Sequence, residues 1–504
     1  GMRSCWRWST RWAAAVTLAV LLTGCATGDT FSANPDAHAA VEPPPTAEEP
    51  LTPTVAWEPC EAPFECATVP VPLDHDDPGA ETIDLALIRL PAPPAARRIG
   101  SLVINPGGPG SSGVDFVRAW SVQVIPAELR ARFDIVGFDP RGVAASRPVS
   151  CNGGSRAFLS QDLAPDDVGE TAAVLAAAEA YATSCGDASG DLLAHVGTAN
   201  VVRDLDAIRV ALGDADLTYL GYSYGTRIGA AYADLFPENV RALVLDGAVD
   251  PTLDLTGQVR AQAAALEAAL SEFLAACASD EHCPLPAERS TLTAFDALMA
   301  DLDARELPAP ELGARLEAGQ AAVAALALLR DRPRWPLLAA ALALAWEGNG
   351  SLLAAPLAPV AGDGDTLADE LASLMAVNCL DVPAPAPGEL PALATDLAAS
   401  APRFGPVSLF LHAPCAFWPV AAEGTPREIA APGTPPIVVI GNRGDLITPF
   451  GWSESLVAQL DSGVLLTRDG DRHTAFGGEN VCTDRAVIRY LIDLIPPDPT
   501  RSCG

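Results

Sequence analysis

The sequence predicts an α/β fold, with a mostly parallel central sheet flanked by helices and interrupted by a helical insertion. Three observations carry the prediction. Short apolar runs recur along the chain and end in turn-forming or acidic residues, as buried parallel strands do. One of them, Leu217 to Leu220, runs into Gly221-Tyr222-Ser223-Tyr224-Gly225 and then a helical pattern from Thr226 to Phe236. Finally, an alanine- and leucine-rich stretch of helical spacing separates the last two strand-like runs from the others.

The 504 residues begin with Gly1, which reads as an expression scar ahead of Met2. Arginines at positions 3, 7 and 11 precede the apolar run Ala13 to Leu22. That run is far short of the ~20 residues a membrane span needs, so residues 1–24 are expected to be a signal peptide. Leu22-Thr23-Gly24-Cys25 resembles a bacterial lipobox, which makes Cys25 the expected lipid anchor. Residues 25–54 are rich in proline, alanine and acid, and are expected to form a disordered spacer. The protein is then an exported lipoprotein of the cell envelope, or a secreted one, meeting the membrane only through that modified end.

Without the signal peptide the chain keeps 28 basic and 64 acidic residues, a formal charge of −36. Such a field repels phosphates and excludes a nucleic-acid partner. Excluding Cys5 and Cys25 leaves ten cysteines with no zinc-type spacing. Disulfides in an oxidising compartment are the economical reading. Local pairing suggests Cys60–Cys66, Cys277–Cys283 and Cys482–Cys503, with Cys151–Cys185 and Cys379–Cys415 as longer bridges.

The first core segment spans residues 55–251. Thr82–Ile88 reads as a strand, and Ser101–Ile104 as another that ends in Asn105-Pro106-Gly107-Gly108-Pro109-Gly110-Ser111-Ser112-Gly113. Consecutive glycines let backbone N–H groups approach a developing oxyanion. Pro106 and Pro109 have no N–H, so the donor is Gly107, Gly108 or Gly110, with Gly108 favoured. No lysine follows to make a phosphate loop, and G-x-G-x-x-G cannot be laid over these residues. Phe133–Phe138 is a further strand, followed by Asp139-Pro140-Arg141-Gly142, in which a structural Asp–Arg role is favoured over a catalytic one. Asn200–Leu212 reads as a helix ahead of the strand that carries Ser223.

Between a strand and a helix, Gly-x-Ser-x-Gly is a nucleophile elbow. The flanking glycines permit a sharp turn that lifts the serine hydroxyl above the sheet, with the N–H of the following residue, Tyr224, as the second oxyanion donor. A serine needs a histidine to take its proton and a carboxylate to orient that histidine. In this fold they follow the serine in that reverse order, acid first. The strand Pro436–Ile440 leads to Asp445, and the strand Gly463–Thr467 leads to His473, the only histidine after Asp445. Asp469 and Asp471 also precede His473 but lie too near it in sequence to orient it well. The site is expected to be Ser223, Asp445 and His473, with no metal or organic cofactor.

Ser223 and Asp445 are 222 positions apart, far more than one strand–helix–strand step requires. After the strand Ala242–Asp246, helical patterns appear over Gln258–Cys277, Glu311–Leu329 and Trp335–Trp346. Residues 252–405 are expected to be a helical cap over the site, and 406–504 the second part of the core.

The motifs Asn105–Gly113, Asp139–Gly142, Gly221–Gly225 and Asp445–Pro449 together resemble the tripeptidyl aminopeptidases, exported α/β-hydrolases related to proline iminopeptidase. The resemblance extends from Trp57 to Cys503 and includes Cys379-Leu380-Asp381 and Cys415–Pro419. One departure is Arg472, where that family usually has a glycine before its histidine. The resemblance implies release of short N-terminal peptides, often three residues long, from substrates with a free amine. An acidic residue must then hold the substrate ammonium, and Asp381 is the candidate. The alternatives are a carboxylesterase using the same triad and a surface lipoprotein that binds peptides without turnover.

Overall fold

A computed structural model of the chain describes residues 54–94, 97–310, 314–357, 365–477 and 480–504. The expected signal peptide, Cys25 and nearly all of the spacer lie outside them. Ten strands form one sheet in the order β1-β2-β3-β5-β4-β6-β7-β10-β11-β12. Here β1 is Glu58–Glu61, β2 Phe64–Pro72, β3 Thr82–Leu90, β4 Gly100–Asn105, β5 Phe133–Phe138 and β6 Leu217–Tyr222. β7 is Val240–Asp246, β10 Ile437–Asn442, β11 Gly463–Arg468 and β12 Ser502–Cys503, while β8 (Leu307–Ala309) and β9 (Ala314–Leu316) form a separate hairpin.

From β5 across to β12 every pairing is parallel, and β1, β2, β3 and β5 pair antiparallel at the other edge. The central strands β4, β5, β6 and β10 are buried along their whole length. Alternate residues feed two separate cores, as the two-residue period of a strand requires. Tyr219, Leu243 and Val439 enter one, and Leu220, Val244 and Val438 the other.

Helix α1 (Gly113–Val124) follows β4, α2 (Thr198–Leu212) precedes β6, and α3 (Tyr224–Leu235) follows it. Between β7 and β10 the chain is mostly helical, including α4 (Leu255–Ser279) and α5 (Asp365–Asp381), and α6 (Val481–Asp493) closes the core. Helix α4 is long and apolar enough to cross a membrane, but here Leu266, Leu270 and Phe273 are buried in the core. The insertion meets the sheet's carboxyl edge directly: Gln262 of α4 donates to the Ile447 carbonyl at 2.7 Å, and α5 packs against Gly110.

One sequence expectation is corrected. The helix expected over Glu311–Leu329 begins only at Ala318, and Ala314–Leu316 is a strand paired with Leu307–Ala309. Pro308, Pro310 and Gly313 disfavour helix before that point. Glu317 and Gln320 then form a capping box that fixes the helix start at Ala318. Among the described residues five disulfides pair Cys60 with Cys66, Cys151 with Cys185, Cys277 with Cys283, Cys379 with Cys415 and Cys482 with Cys503.

Candidate active site

Ser223 stands between β6 and α3 with φ 53° and ψ −121°. A non-glycine residue with positive φ is strained, and something must hold it there. Part of that restraint is the bond from its own N–H to the Asp246 carbonyl at 2.8 Å. Ser223 is the N-terminal cap residue of α3, yet its hydroxyl makes no capping bond. The hydroxyl is therefore not spent on the helix.

The loop after β4 closes against this elbow. A Cβ on Gly107 would lie 2.5 Å from the Tyr222 carbonyl and 2.9 Å from Ser223 Cβ, so only glycine fits. Its φ of +95° points to the same residue type. The Gly107 N–H donates to Asn105 Oδ1 at 2.9 Å and is thereby occupied. Gly108 is the next N–H along this loop, and Tyr224 supplies a first-turn N–H of α3, whose amino end favours negative charge.

Asp445 and His473 come together from the ends of neighbouring strands β10 and β11. His473 Nδ1 is 3.0 Å from Asp445 Oδ2 and 3.1 Å from Oδ1. The acid is nearly inaccessible, with 1% side-chain exposure, against 19% for the histidine. Asp445 Oδ1 also accepts the N–H groups of Ile447 and Thr448 at 2.8 and 3.0 Å, and Oδ2 accepts the Thr448 hydroxyl at 2.9 Å. These bonds fix the carboxylate and leave its charge facing the ring. His473 Nε2 is buried and makes no hydrogen bond among the described residues. Gly247 is wedged alongside: a Cβ there would stand 3.3 Å from His473 Cε1 and 3.2 Å from Thr448 Oγ1.

The competing acids point elsewhere. Asp469 pairs with Arg443 at 2.8 Å and Asp471 with Arg332 at 3.0 Å. Arg472 is exposed, and its carbonyl accepts from Asn442 Nδ2 at 2.9 Å. Asp139 caps the start of α1 by accepting from Ser112 and the Val114 N–H. Fully buried Arg141 binds Asp204 through two nitrogens, at 2.6 and 2.7 Å, so both groups are structural.

Asp381 requires a correction. It is buried, with Oδ1 accepting the Thr198 N–H at 2.8 Å and Oδ2 the Thr198 hydroxyl at 2.6 Å. Arg227 pairs with the same carboxylate at 3.2 Å. A carboxylate already neutralised and bonded in this way locks α2, α3 and α5 together and offers no spare charge to a substrate ammonium. A different acid lies beside the Gly107–Gly110 loop. Glu370 of α5 has its backbone carbonyl against Gly110, and burial together with nearby Asp115 pushes its carboxyl up to about 7. Asp162, Glu170 and Asp303 bring three carboxylate oxygens within 4.8 Å of one another, a donor set suited to a hard cation. None of these three belongs to the loops that hold Ser223, Asp445 or His473.

Sequence order singled out Ser223, Asp445 and His473 but passed over Asn105, Gly247, Thr448 and Asp246. Thr448 follows the acid by three positions, and Asp246 ends a parallel strand, the edge where α/β sheets present their chemistry. Either fact would have singled them out.

Comparison with known proteins agrees with this architecture. Residues 100–340 match the family model described as alpha/beta hydrolase fold, and residues 401–503 match the model described as TAP-like protein. The chain is 36% identical to serine protease Hip1 of Mycobacterium tuberculosis, over 98% of this chain and 97% of that one. It is 34% identical to carboxylesterase B of the same species, over 96% and 97%. With a tripeptidyl aminopeptidase of Streptomyces coelicolor it shares 31% identity, over 87% of this chain and 84% of the other.

Proposed function

The chain belongs to the α/β-hydrolase family, with a TAP-like C-terminal part, and on that premise we propose that it is an exported serine peptidase. In this reading it releases short N-terminal peptides, three residues being the favoured length, from substrates with a free amine. The observation that carries the reading is the Asp445–His473 pair, held two and three strands across the sheet from the strained Ser223 elbow. Relatives named serine protease and tripeptidyl aminopeptidase favour peptide substrates, and the five disulfides favour an extracytoplasmic setting.

His473 Nε2 takes the Ser223 proton as Oγ attacks the scissile carbonyl, and the imidazolium is stabilised by Asp445. The Gly108 and Tyr224 N–H groups receive the oxyanion. His473 then protonates the departing amine, and water repeats the sequence to free the acyl group. Glu370 takes over the ammonium-binding role that Asp381 cannot fill. Helices of the insertion, packed on the oxyanion and acid loops, restrict entry to short chains and exclude bulk water.

The test is hydrolysis of a free-amine tripeptide anilide, its N-acetylated twin and a nitrophenyl ester, by the wild type and by Ser223→Ala. Serine-dependent cleavage of the free-amine peptide alone is the expected result. Turnover of the ester with both peptides untouched would move the assignment to esterase, the reading that the relative named carboxylesterase B supports.

A further inference from the structure

Strand β7 ends at Asp246, between the strand that carries Ser223 and the strand that carries Asp445. Its backbone carbonyl accepts the Ser223 N–H at 2.8 Å. Its carboxylate accepts the Ala475 N–H at 2.9 and 3.1 Å, and the Phe476 N–H at 2.8 Å, two and three residues past His473. The side chain is fully buried. One residue thus ties the nucleophile's backbone to the loop that bears the base.

Resting on the serine-hydrolase reading, we propose that Asp246 is a second, positioning carboxylate of the site: ionised, it fixes the His473 loop and lends negative charge to the imidazolium formed as Ser223 attacks. An asparagine oxygen at the Oδ2 position could accept both N–H groups, but its NH2 would then stand 3.1 Å from the Ala475 N–H, donor against donor. Aspartate supplies acceptors on both sides together with a negative charge. Burial raises the carboxyl to about 7, with the Phe476 and Ala475 N–H groups and His473 opposing that rise and Asp445 adding to it. Tyr222 on β6 faces the same charge.

The experiment follows the second-order rate of Ser223 labelling by a fluorophosphonate across pH, which requires the catalytic groups but no particular substrate. In the wild type two groups must lose protons, so log rate falls on the acid side with a slope approaching two. In Asp246→Asn the slope becomes one, and the rate above neutral pH drops about tenfold, the scale of one lost charge-assisted contact. A wild-type slope of one overturns the proposal even if the variant fails to fold. So does an Asp246→Asn profile that superposes on the wild type. No labelling at any pH would instead sink the serine-hydrolase reading on which the proposal rests.

Discussion

Replacing Asp445 by asparagine is the sharpest test of the triad, because the structure dictates how the new amide must sit. The position of Oδ1 receives two backbone N–H groups, from Ile447 and Thr448, at 2.8 and 3.0 Å. An NH2 placed there would face two donors, so the amide oxygen takes that side. The NH2 then occupies the Oδ2 position, 3.0 Å from His473 Nδ1, and donates to it. His473 must accept at Nδ1 and carry its proton on Nε2, which removes the base that Ser223 needs. A neutral group also no longer stabilises the imidazolium. Together these effects are expected to lower kcat by about 10⁴, or roughly 5 kcal/mol of transition-state stabilisation. Steady-state hydrolysis of the tripeptide anilide would measure it, with circular dichroism and Tm confirming an intact fold. Asp445→Ala leaves either tautomer available and should be no worse than Asp445→Asn. Asp445→Asn activity within tenfold of wild type would refute the assignment of the acid.

Three further outcomes follow from the geometry. Gly107→Ala places a methyl 2.5 Å from the Tyr222 carbonyl and 2.9 Å from Ser223 Cβ, and should cost at least about 10² in kcat and in fluorophosphonate labelling. Thr448→Ala removes the hydroxyl bond to Asp445 Oδ2 and should lower kcat about tenfold, the worth of one buried bond to a charged group, with KM unchanged. Glu370→Gln should raise KM for free-amine peptides and leave ester hydrolysis alone. In the wild type, Glu370 loses its charge as pH falls through about 7, so KM for free-amine peptides should rise below that pH. A KM that stays flat with pH, or an ester that suffers equally, would remove Glu370 from amine recognition.

Much of the sheet was legible because its strands are short apolar runs punctuated by Gly, Pro and Asp. Phe133–Phe138 matches its expected range, and the helix expected at Asn200 begins at Thr198. Legibility failed where helix formers followed prolines and a glycine, as at Ala314–Leu316, where strand pairing with Leu307–Ala309 prevailed. Asp381 failed for a different reason. Whether an acid is free or neutralised depends on partners such as Thr198, 183 positions away, and Arg227. No local pattern announces such partners.

Asp246 shows how chain order and sheet order carry different information about a site. Along the chain, Ser223, Asp445 and His473 are selected by their sequence, and Asp246 is simply the last residue of a strand that leads into the insertion. Across the sheet, β7 lies between β6 and β10, so whatever ends β7 is placed between the strand that leads to Ser223 and the strand that leads to Asp445. A hydrophobic residue there would leave the Ala475 and Phe476 N–H groups buried without an acceptor, at a cost of about 1–3 kcal/mol each. A glycine must follow, because Gly247 has φ +71° and no room for a side chain against His473. The pair Asp246-Gly247 is therefore constrained on both sides, by the Ser223 elbow and by the His473 loop. The 222-residue separation between Ser223 and Asp445 spans a helical insertion, but in the sheet it amounts to one intervening strand.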